Sequence, residues 1–254
     1  MLAYFVCWNP PVFNDPELSA ILAAFRHERL IDSYLGPLRP GKESHIHCCR
    51  RPDGGYAILK HYTPISVRSF RADAAYGLGT GRAKPRVQRA IRNTSEFGLR
   101  SKLAVWTGNE ERNARHLLAL GLRIPEPLRR HGPALLMRMI GGPDQPAAQV
   151  REAALDAASA TALVPLLQAD IATMLRHGLV HGDLSAYNVL WHRGRHWLID
   201  VPQMVHAQDD PLTHELFLRD CRCLLGHLQR CGAAVDAAAW AADVWARWRA
   251  GDPL

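Results

Sequence analysis

The sequence predicts an α+β fold with two lobes, the first rich in strands and the second in helices. Two extended runs, Ser44 to Arg50 and Tyr56 to Tyr62, flank a Pro-Asp-Gly-Gly turn and indicate a β-hairpin. The later segment Leu163 to His177 has the apolar spacing of a strongly amphipathic helix. Between these regions, the apolar run Ala134 to Ile140 predicts a buried strand at the hinge between the lobes.

This hinge divides the chain into an N-lobe, residues 1–137, and a helical C-lobe, residues 138–254. The N-lobe begins with a helix predicted over Pro16 to Leu35, which Gly36 and Pro37 are expected to end. The remaining elements predicted from apolar spacing and turn residues are, in chain order, helix Trp106–Leu120, a connector at Pro125–Pro127, helix Ala147–Ala158, strands Val189–Trp191 and Trp197–Ile199 around a turn at Gly194, and helices His214–Leu228 and Val235–Ala250.

The composition is that of a globular protein. Of the 254 residues, 48% are hydrophobic and 22% are charged, which excludes a disordered chain. No uncharged run approaches membrane-spanning length, so we expect no membrane partner. The six cysteines show no spacing typical of a disulfide framework, which indicates a reducing, cytoplasmic setting.

A basic segment interrupts the N-lobe at residues 66–103 and includes Gly77, Gly79 and Gly81. We interpret it as a flexible insert, because a glycine run alone is a weak signal for phosphate binding. The whole chain has a formal net charge of +7 and a pI of about 9.3. Such an excess favours polyanionic partners, including nucleotides and RNA.

A group of metal-ligating residue types occurs at His45, His47 and Cys49, which share one face if the segment is a strand. No second ligand cluster lies at the spacing of a structural zinc site. We therefore favour an ordinary strand with alternating faces and keep a metal site as the alternative.

The strongest functional signal is the spacing Asp183-x-x-x-x-Asn188, followed by a hairpin and Asp200. Phosphoryl transfer requires a base that orients the acceptor, oxygen ligands for magnesium and a cation on the phosphates. Asp183 is the candidate base, and Asn188 offers a neutral oxygen to the metal. Asp200 ends an apolar strand that directs its carboxylate toward the same site, and Mg²⁺ prefers such hard oxygens. The spacing predicts phosphoryl transfer from a magnesium nucleotide.

The cation that contacts the phosphates is expected on an early strand. Lys60 is the candidate, because it ends the apolar run that begins at Ala57. A buried lysine requires an anionic partner. Glu110 on the following helix is the natural candidate, and Glu111 is the alternative.

The nucleotide has two further candidate binding segments. The turn between the first helix and the first strand holds Lys42 and Ser44, where backbone amides and the Ser44 hydroxyl can approach phosphates. At the hinge, Met137 is expected to guard the adenine pocket, with the Arg138 carbonyl and the Ile140 amide facing the base.

Taken together, these residues resemble the RIO family of atypical serine/threonine protein kinases, in particular its bacterial branch. The most specific match is Asp183-Leu184-Ser185 with Asn188, followed by Ile199-Asp200 with Gln203. The other matching segments, which run in order from about residue 27 to the end of the chain, are Gly41–Ser44, Lys60 with Tyr62, Arg68–Arg71, Trp106 with Glu110, Ile124–Pro127, Leu135–Met137, Leu179–Gly182, Tyr187–Leu190 and Leu218–Asp220.

The resemblance implies a two-lobed protein-kinase-like fold with a reduced C-lobe that lacks an activation loop and peptide-docking helices. The 54 residues that follow Asp200 agree with such a reduced lobe. It further implies ATP and Mg²⁺ as cofactors, Asp183 as catalytic base, and Asn188 and Asp200 as metal ligands. The resemblance also implies a transient phosphate on Asp200, and some members of the family act chiefly as ATPases.

Two other functions stay open. A small-molecule kinase of the aminoglycoside or choline type shares the Asp183 and Asp200 patterns, although Ser185 and Gln203 argue against it. A nucleotide-switched module that binds RNA or a ribosomal particle through the basic insert is the second alternative. The acceptor of the favoured kinase is an unknown protein or the chain itself. Pro40 and His61 depart from the pattern of the family and concern nucleotide affinity more than the reaction class.

Overall fold

The computed structural model describes residues 15–40, 44–62, 96–208 and 210–254. The helices in this part of the chain are α1 (Pro16–His27), α2 (Glu96–Ala119), α3 (Ala157–Arg176), α4 (Pro211–Arg230) and α5 (Ala237–Ala250). The strands are β1 (Ser33–Pro40), β2 (Ser44–Arg50), β3 (Tyr56–Tyr62), β4 (Pro127–His131), β5 (Ala134–Arg138), β6 (Ala148–Gln149), β7 (Leu179–Val180), β8 (Val189–His192), β9 (Arg195–Leu198) and β10 (Val205–His206).

A five-stranded antiparallel sheet in the order β1-β2-β3-β5-β4 forms the first half of the fold. The predicted hairpin is confirmed, with Ser44 opposite Tyr62 in β2 and β3. On its other side, β3 places Lys60 opposite Leu135 of β5. Directly opposed residues of an antiparallel pair lie on the same face of the sheet. Ser44, Tyr62 and Lys60 are therefore on one face.

Helix α1 covers the opposite face of this sheet. Asp15 caps it by accepting hydrogen bonds from the amides of Glu17 and Leu18. The buried face of the helix packs on inward residues of β2, β3 and β5 and comprises Leu18, Ile21, Leu22 and Phe25.

The predicted extent of the first helix was wrong, because α1 ends at His27 and residues 33–40 form strand β1. Arg29 adopts a left-handed φ of 56°, which ends the helical path. Pro37 lies within β1 rather than after a helix, and the pairing with β2 shifts register beside it. An edge strand tolerates proline because one side of its backbone needs no partner.

Helix α2 begins at Glu96, whereas the sequence predicted a helix from Trp106. Its first turns therefore occupy the end of the segment interpreted as a flexible insert, and residues 66–95 of that segment lie outside the described residues. The buried side of α2 includes Thr107 and Glu110 among apolar residues.

The helix predicted over Ala147 to Ala158 was also wrong. The segment contains β6 and a turn, and α3 begins at Ala157 with Asp156 as its N-cap. The Val150 amide donates to the Val189 carbonyl at 2.8 Å, and the Arg151 amide donates to Ala186 at 3.0 Å. These long-range bonds use backbone groups that a helix would pair locally, so tertiary pairing overrides the helix propensity of alanine.

The second half of the fold packs α3, α4 and α5 around a common core. The predicted hairpin β8–β9 and the last two helices are confirmed. Trp245 of α5 is 3% exposed and stacks on His214 at a ring distance of 4.9 Å. Between Asp200 and α4 the described residues contain only the short strand β10, which pairs with β7.

Helix α3 is long and apolar enough to cross a membrane by length and composition alone. Leu163, Leu167 and Leu175 are nevertheless fully buried in the core, and Asp170 pairs with buried His196 at 2.7 Å. We therefore interpret α3 as the central helix of this core.

Candidate active site

The loop between β7 and β8 brings Asp183 and Asn188 together. The Asn188 side-chain amide donates to the Asp183 carbonyl at 2.8 Å and to the Asp183 carboxylate at 3.1 Å. Asp183 is exposed, whereas Asn188 is buried. Both amide contacts use Nδ2, so the amide oxygen of Asn188 is the atom that can serve a metal ion.

Gly182 makes the tight path of this loop possible. Its φ is +85°, and a Cβ atom there would lie 2.9 Å from the Gln203 carbonyl oxygen. Both the backbone conformation and the space therefore require glycine. This close approach holds the candidate catalytic loop against the segment that follows Asp200.

Asp220 of α4 holds the same loop through a hydrogen bond to its backbone. It is 3% exposed, and its carboxylate accepts the Gly182 amide at 2.7 Å. Burial raises the pKa of Asp220 to about 7, against the opposing effect of this hydrogen bond. The neighbouring Arg219 donates from its guanidinium to the Gly182 carbonyl. Asp220 thus fixes the loop through its backbone.

Asp200 lies just after β9 and has a left-handed φ of 63°. Non-glycine residues in this conformation are uncommon and often lie at functional sites. Its neighbours are held on both sides: the Ile199 amide donates to the Asn188 carbonyl at 2.9 Å, and Asn113 of α2 donates to the Val201 carbonyl at 2.7 Å. The backbone position of Asp200 is therefore fixed relative to Asn188.

Lys60 connects the sheet to both of these regions. Its ammonium group donates to Glu110 Oε1 at 2.7 Å and to Asp200 Oδ1 at 3.0 Å. Burial alone would lower the pKa of Lys60, but the Asp200 and Glu110 carboxylates raise it above its ordinary value. Lys60 is therefore cationic at neutral pH. Glu111, the alternative partner, instead pairs with Arg115 and Arg130.

Two titratable groups of the loop have shifted pKa values. Loss of solvent on one side of Asp183 and the negative charge of Asp200 raise the pKa of the Asp183 carboxyl. Burial lowers the pKa of His181 to about 4, and its imidazole lies 3.2 Å from the Ile199 carbonyl oxygen. A neutral His181 therefore supports the loop, while Asp183 keeps increased affinity for a proton.

The predicted hinge residues lie at the end of β5 and just beyond it. Met137 is 5% exposed and stands opposite Ile58 in β3. The Arg138 amide donates to the Glu126 carbonyl at 2.8 Å, and the Ile140 carbonyl accepts from Ala147 at 3.1 Å. The adenine contacts predicted above use the other backbone group of each residue, the Arg138 carbonyl and the Ile140 amide, and they stay a prediction.

Of the two predicted phosphate contacts, Lys42 lies outside the described residues. Ser44 is the first described residue after this gap, is 8% exposed, and stands opposite Tyr62 at the end of β3. Ser44 therefore lies on the same sheet face as Lys60, at the first residue of β2.

The group at His45, His47 and Cys49 does not come together as a ligand set. Among the described residues, no group of three histidine, cysteine or acidic side chains is arranged to hold a metal ion. The His47 ring instead lies 3.0 Å from the Tyr34 hydroxyl, and Cys49 is fully buried against α1. The face that carries these side chains is opposite to that of Lys60.

Three residues at the site carried no assigned role in the sequence analysis. Tyr62 contacts Glu110, Asn113 supports Val201, and Asp220 anchors Gly182. For Asp220 a signal was available, since an acidic residue sits among the apolar positions of an amphipathic helix. For Tyr62 and Asn113, only the tertiary contacts identify the role.

The donor set at this site fits a magnesium nucleotide. The Asp200 carboxylate and the Asn188 amide oxygen are hard oxygen donors of the kind that Mg²⁺ prefers. Lys60 supplies a cation 3.0 Å from one of them, as a phosphate-binding lysine requires.

The fold is similar to that of solved kinase structures. The structure of the Rio2 kinase–ADP/Mg²⁺–phosphoaspartate complex from Chaetomium thermophilum superposes with a TM-score of 0.61. The two chains are 20% identical, and the match covers 89% of this chain and 69% of that one. The chain therefore has a protein-kinase-like fold.

Comparison of sequences identifies the family. Similar proteins include the serine/threonine-protein kinase RIO1 of Caenorhabditis elegans, 28% identical over 87% of this chain and 42% of that protein. Another is the RIO-type serine/threonine-protein kinase Rio1 of Haloferax volcanii, 28% identical over 89% of this chain and 73% of that protein. The chain thus spans less than half the length of the first relative. The family model of the RIO domain matches residues 46–239, and the chain belongs to this family.

Proposed function

We propose that this protein is a RIO-type, ATP-dependent serine/threonine protein kinase. The observation that carries the proposal is the double contact of Lys60 with Glu110 and Asp200, at 2.7 and 3.0 Å. It joins the sheet, α2 and the segment after β9 at one point. Phosphoryl transfer requires such a cation beside the carboxylate that holds the metal.

Each residue has a defined task in this proposal. Lys60 binds nucleotide phosphates, while Asp200 and the Asn188 amide oxygen hold magnesium, which when bound neutralises charge on the phosphate oxygens. Met137, Arg138 and Ile140 bind adenine. The proposed phosphate contacts are Lys42 and Ser44, the first residue of β2.

Asp183 is the proposed catalytic base. The acceptor hydroxyl oxygen forms a bond to the γ-phosphorus while the bond from that phosphorus to the ADP oxygen breaks. Asp183 takes up the hydroxyl proton, so that ADP and a phosphorylated hydroxyl are the products. Its raised pKa favours this proton transfer, because it increases the basicity of the carboxylate.

A phosphoaspartate cycle at Asp200 is the second candidate function. Two observations favour it: the relative of similar fold is a phosphoaspartate complex, and the Asp200 side chain is 26% exposed. In this cycle an Asp200 oxygen attacks the γ-phosphorus, ADP leaves, and water then hydrolyses the acyl phosphate. The net reaction is ATP hydrolysis.

The acceptor and setting belong to the same proposal. We favour a protein serine or threonine, or the chain itself, as acceptor in a cytoplasmic setting. Contact with RNA or a ribosomal particle through residues 66–103 is compatible with it, but most of that segment lies outside the described residues. The proposal also places the chain in the bacterial branch, although the relatives named above are eukaryotic and archaeal. A small-molecule acceptor is the alternative.

One labelling experiment tests both candidate functions. The protein is incubated with magnesium and γ-labelled ATP, alone and with candidate acceptors, alongside Asp183→Asn and Asp200→Asn. Label on serine or threonine that Asp183→Asn abolishes supports the kinase. A hydroxylamine-labile label that Asp200→Asn abolishes supports the phosphoaspartate cycle. Neither label nor phosphate release from the unsubstituted protein would contradict both.

A further inference from the structure

Tyr62, the last residue of β3, contacts both members of the buried ion pair. Its hydroxyl donates to Glu110 Oε2, and its ring centroid lies 5.0 Å from the Lys60 ammonium nitrogen. Tyr62 is 1% exposed and lies two residues after Lys60 on the same sheet face. The tyrosine is therefore part of the ion-pair environment.

The two carboxylate oxygens of Glu110 have different partners. Oε1 accepts from Lys60 at 2.7 Å, and Oε2 accepts from Tyr62. Glu110 is 1% exposed, so water has little access to replace a lost partner. The tyrosine hydroxyl thus fixes the plane of the carboxylate and leaves Oε1 facing Lys60.

The hydroxyl also favours the charged form of Glu110. Burial raises the pKa of this carboxyl, and the hydrogen bonds from Lys60 and Tyr62 oppose that rise. Without the hydroxyl, Glu110 gains a proton more readily and becomes a weaker partner for Lys60.

Lys60 also contacts Asp200, so a change in the Lys60–Glu110 contact affects Asp200 as well. If Glu110 binds Lys60 less strongly, the ammonium group moves toward its other carboxylate contact, Asp200, which already lies at 3.0 Å. Asp200 is the proposed magnesium ligand, and an ion pair with Lys60 competes with the metal for the same oxygen. The strength of the Glu110 contact therefore influences how available Asp200 is.

The position of Tyr62 is itself fixed by packing. Its backbone amide donates to the Pro133 carbonyl at 3.0 Å. Its ring packs with Leu103 and Trp106 on α2, the helix that also carries Glu110. The backbone hydrogen bond and the packing of the ring thus hold the Tyr62 hydroxyl beside Glu110.

We propose that Tyr62 is a positioning residue that aims the Glu110 carboxylate at Lys60 and thereby leaves Asp200 free for the magnesium nucleotide. The inference rests on the proposed function for its effect on turnover. Its effect on Lys60 does not depend on turnover, and the two can be measured separately.

The test uses Tyr62→Phe in the full chain, which keeps the ring and removes only the hydroxyl. The matched control is Tyr34→Phe, because the Tyr34 hydroxyl contacts His47 at 3.0 Å on the opposite sheet face. We measure the acetylation rate of Lys60 by mass spectrometry, with sulfo-NHS-acetate as the probe. A several-fold faster rate in Tyr62→Phe and an unchanged rate in the control are expected, because Lys60 is held less firmly once Glu110 loses its hydrogen bond from Tyr62.

Kinetics provide the second readout. In Tyr62→Phe we expect KM for magnesium ATP to rise about three- to tenfold, with a smaller change in kcat at saturation. The shift in KM isolates the hydroxyl, because phenylalanine keeps the ring and its packing. A merely space-filling tyrosine predicts no such shift.

The variant Glu110→Gln tests whether Tyr62 acts through Glu110 or only fills space. When Tyr62 acts through Glu110, adding Tyr62→Phe to Glu110→Gln leaves the Lys60 acetylation rate unchanged. Additive effects, or a Lys60 rate in Tyr62→Phe equal to that of the unsubstituted protein, would overturn the inference. If the unsubstituted protein fails to bind or turn over ATP, the proposed function fails, and the acetylation rates still decide the role of Tyr62.

Discussion

The ammonium nitrogen of Lys60 lies 3.0 Å from the Asp200 carboxylate, although the two residues are 140 positions apart in the chain. Lys60 belongs to the central strand of the sheet, and Asp200 follows the β8–β9 hairpin of the helical half. The contact brings the proposed phosphate-binding cation next to a proposed metal ligand.

Lys60→Met should abolish most of the phosphoryl transfer. Removing a cation that stabilises transition-state charge lowers kcat by about 10²- to 10³-fold. It also leaves the buried Glu110 carboxylate without its cation, which lowers the free energy of unfolding by about 3 kcal/mol. Turnover assays and urea unfolding check the two effects. Lys102→Met, which changes a lysine on α2, serves as the control, and equal losses in both variants would contradict a specific role.

Asp183→Asn should retain ATP binding and lose about 10²- to 10⁴-fold in kcat, because the amide cannot take up the acceptor proton. Calorimetry with magnesium ATP and a turnover assay separate these quantities. In the unsubstituted protein the raised pKa of Asp183 means that the base becomes protonated at a higher pH than an ordinary aspartate does. Activity is therefore expected to fall as the pH drops through that raised value. An acid limb at the pKa of an ordinary aspartate would contradict this assignment.

Asn188→Ala should increase the magnesium concentration required for half-maximal activity. The substitution removes the proposed neutral metal ligand and also the amide that donates to the Asp183 carboxylate at 3.1 Å. A magnesium titration at saturating ATP is expected to show a roughly tenfold higher midpoint, with partial recovery of the rate at high magnesium. An unchanged midpoint with a lower maximal rate would indicate that Asn188 only supports the loop.

Asp220→Ala should destabilise the protein and slow turnover together. The substitution leaves the Gly182 amide without its carboxylate partner at 2.7 Å, which lowers the free energy of unfolding by about 2 kcal/mol. Asp220→Asn retains an oxygen acceptor and should preserve more of both properties. Thermal unfolding and kcat measurements compare the two variants, and equal losses would exclude the hydrogen bond as the cause.

The difference in stability between the unsubstituted protein and Asp220→Asn should depend on pH. The pKa of Asp220 is about 7 in the folded protein and has an ordinary value of 3.8. Because the folded-state pKa is raised, the favourable contribution of Asp220 is fully present below pH 3.8 and is lost as the pH rises through about 7. Asp220→Asn does not titrate there. The stability of this variant relative to the unsubstituted protein should therefore rise between these two pH values and level off above them.

Local patterns predicted the parts of the fold in which neighbouring residues suffice. The hairpin of β2 and β3 was predicted because alternating side chains flank a strong turn at Asp53 and Gly54. The β8–β9 hairpin around Gly194 and the amphipathic helix α4 followed from the same kind of signal. Long-range pairing decided the segments that were wrong. The Arg151 amide donates to Ala186 of the candidate catalytic loop, which no periodicity around residue 150 indicates.

By itself, the sequence determined the chemistry that this protein can offer. The spacing of Asp183, Asn188 and Asp200 indicated phosphoryl transfer, because those donor types on one loop and one strand end suit that reaction. Only the tertiary structure decided how the donors are held. Glu110 rather than Glu111 reaches Lys60, and Tyr62 occupies the other oxygen of Glu110. These contacts depend on the rotation of α2 against β3, and a rotation between two packed elements is set by the burial of both rather than by the local sequence of either.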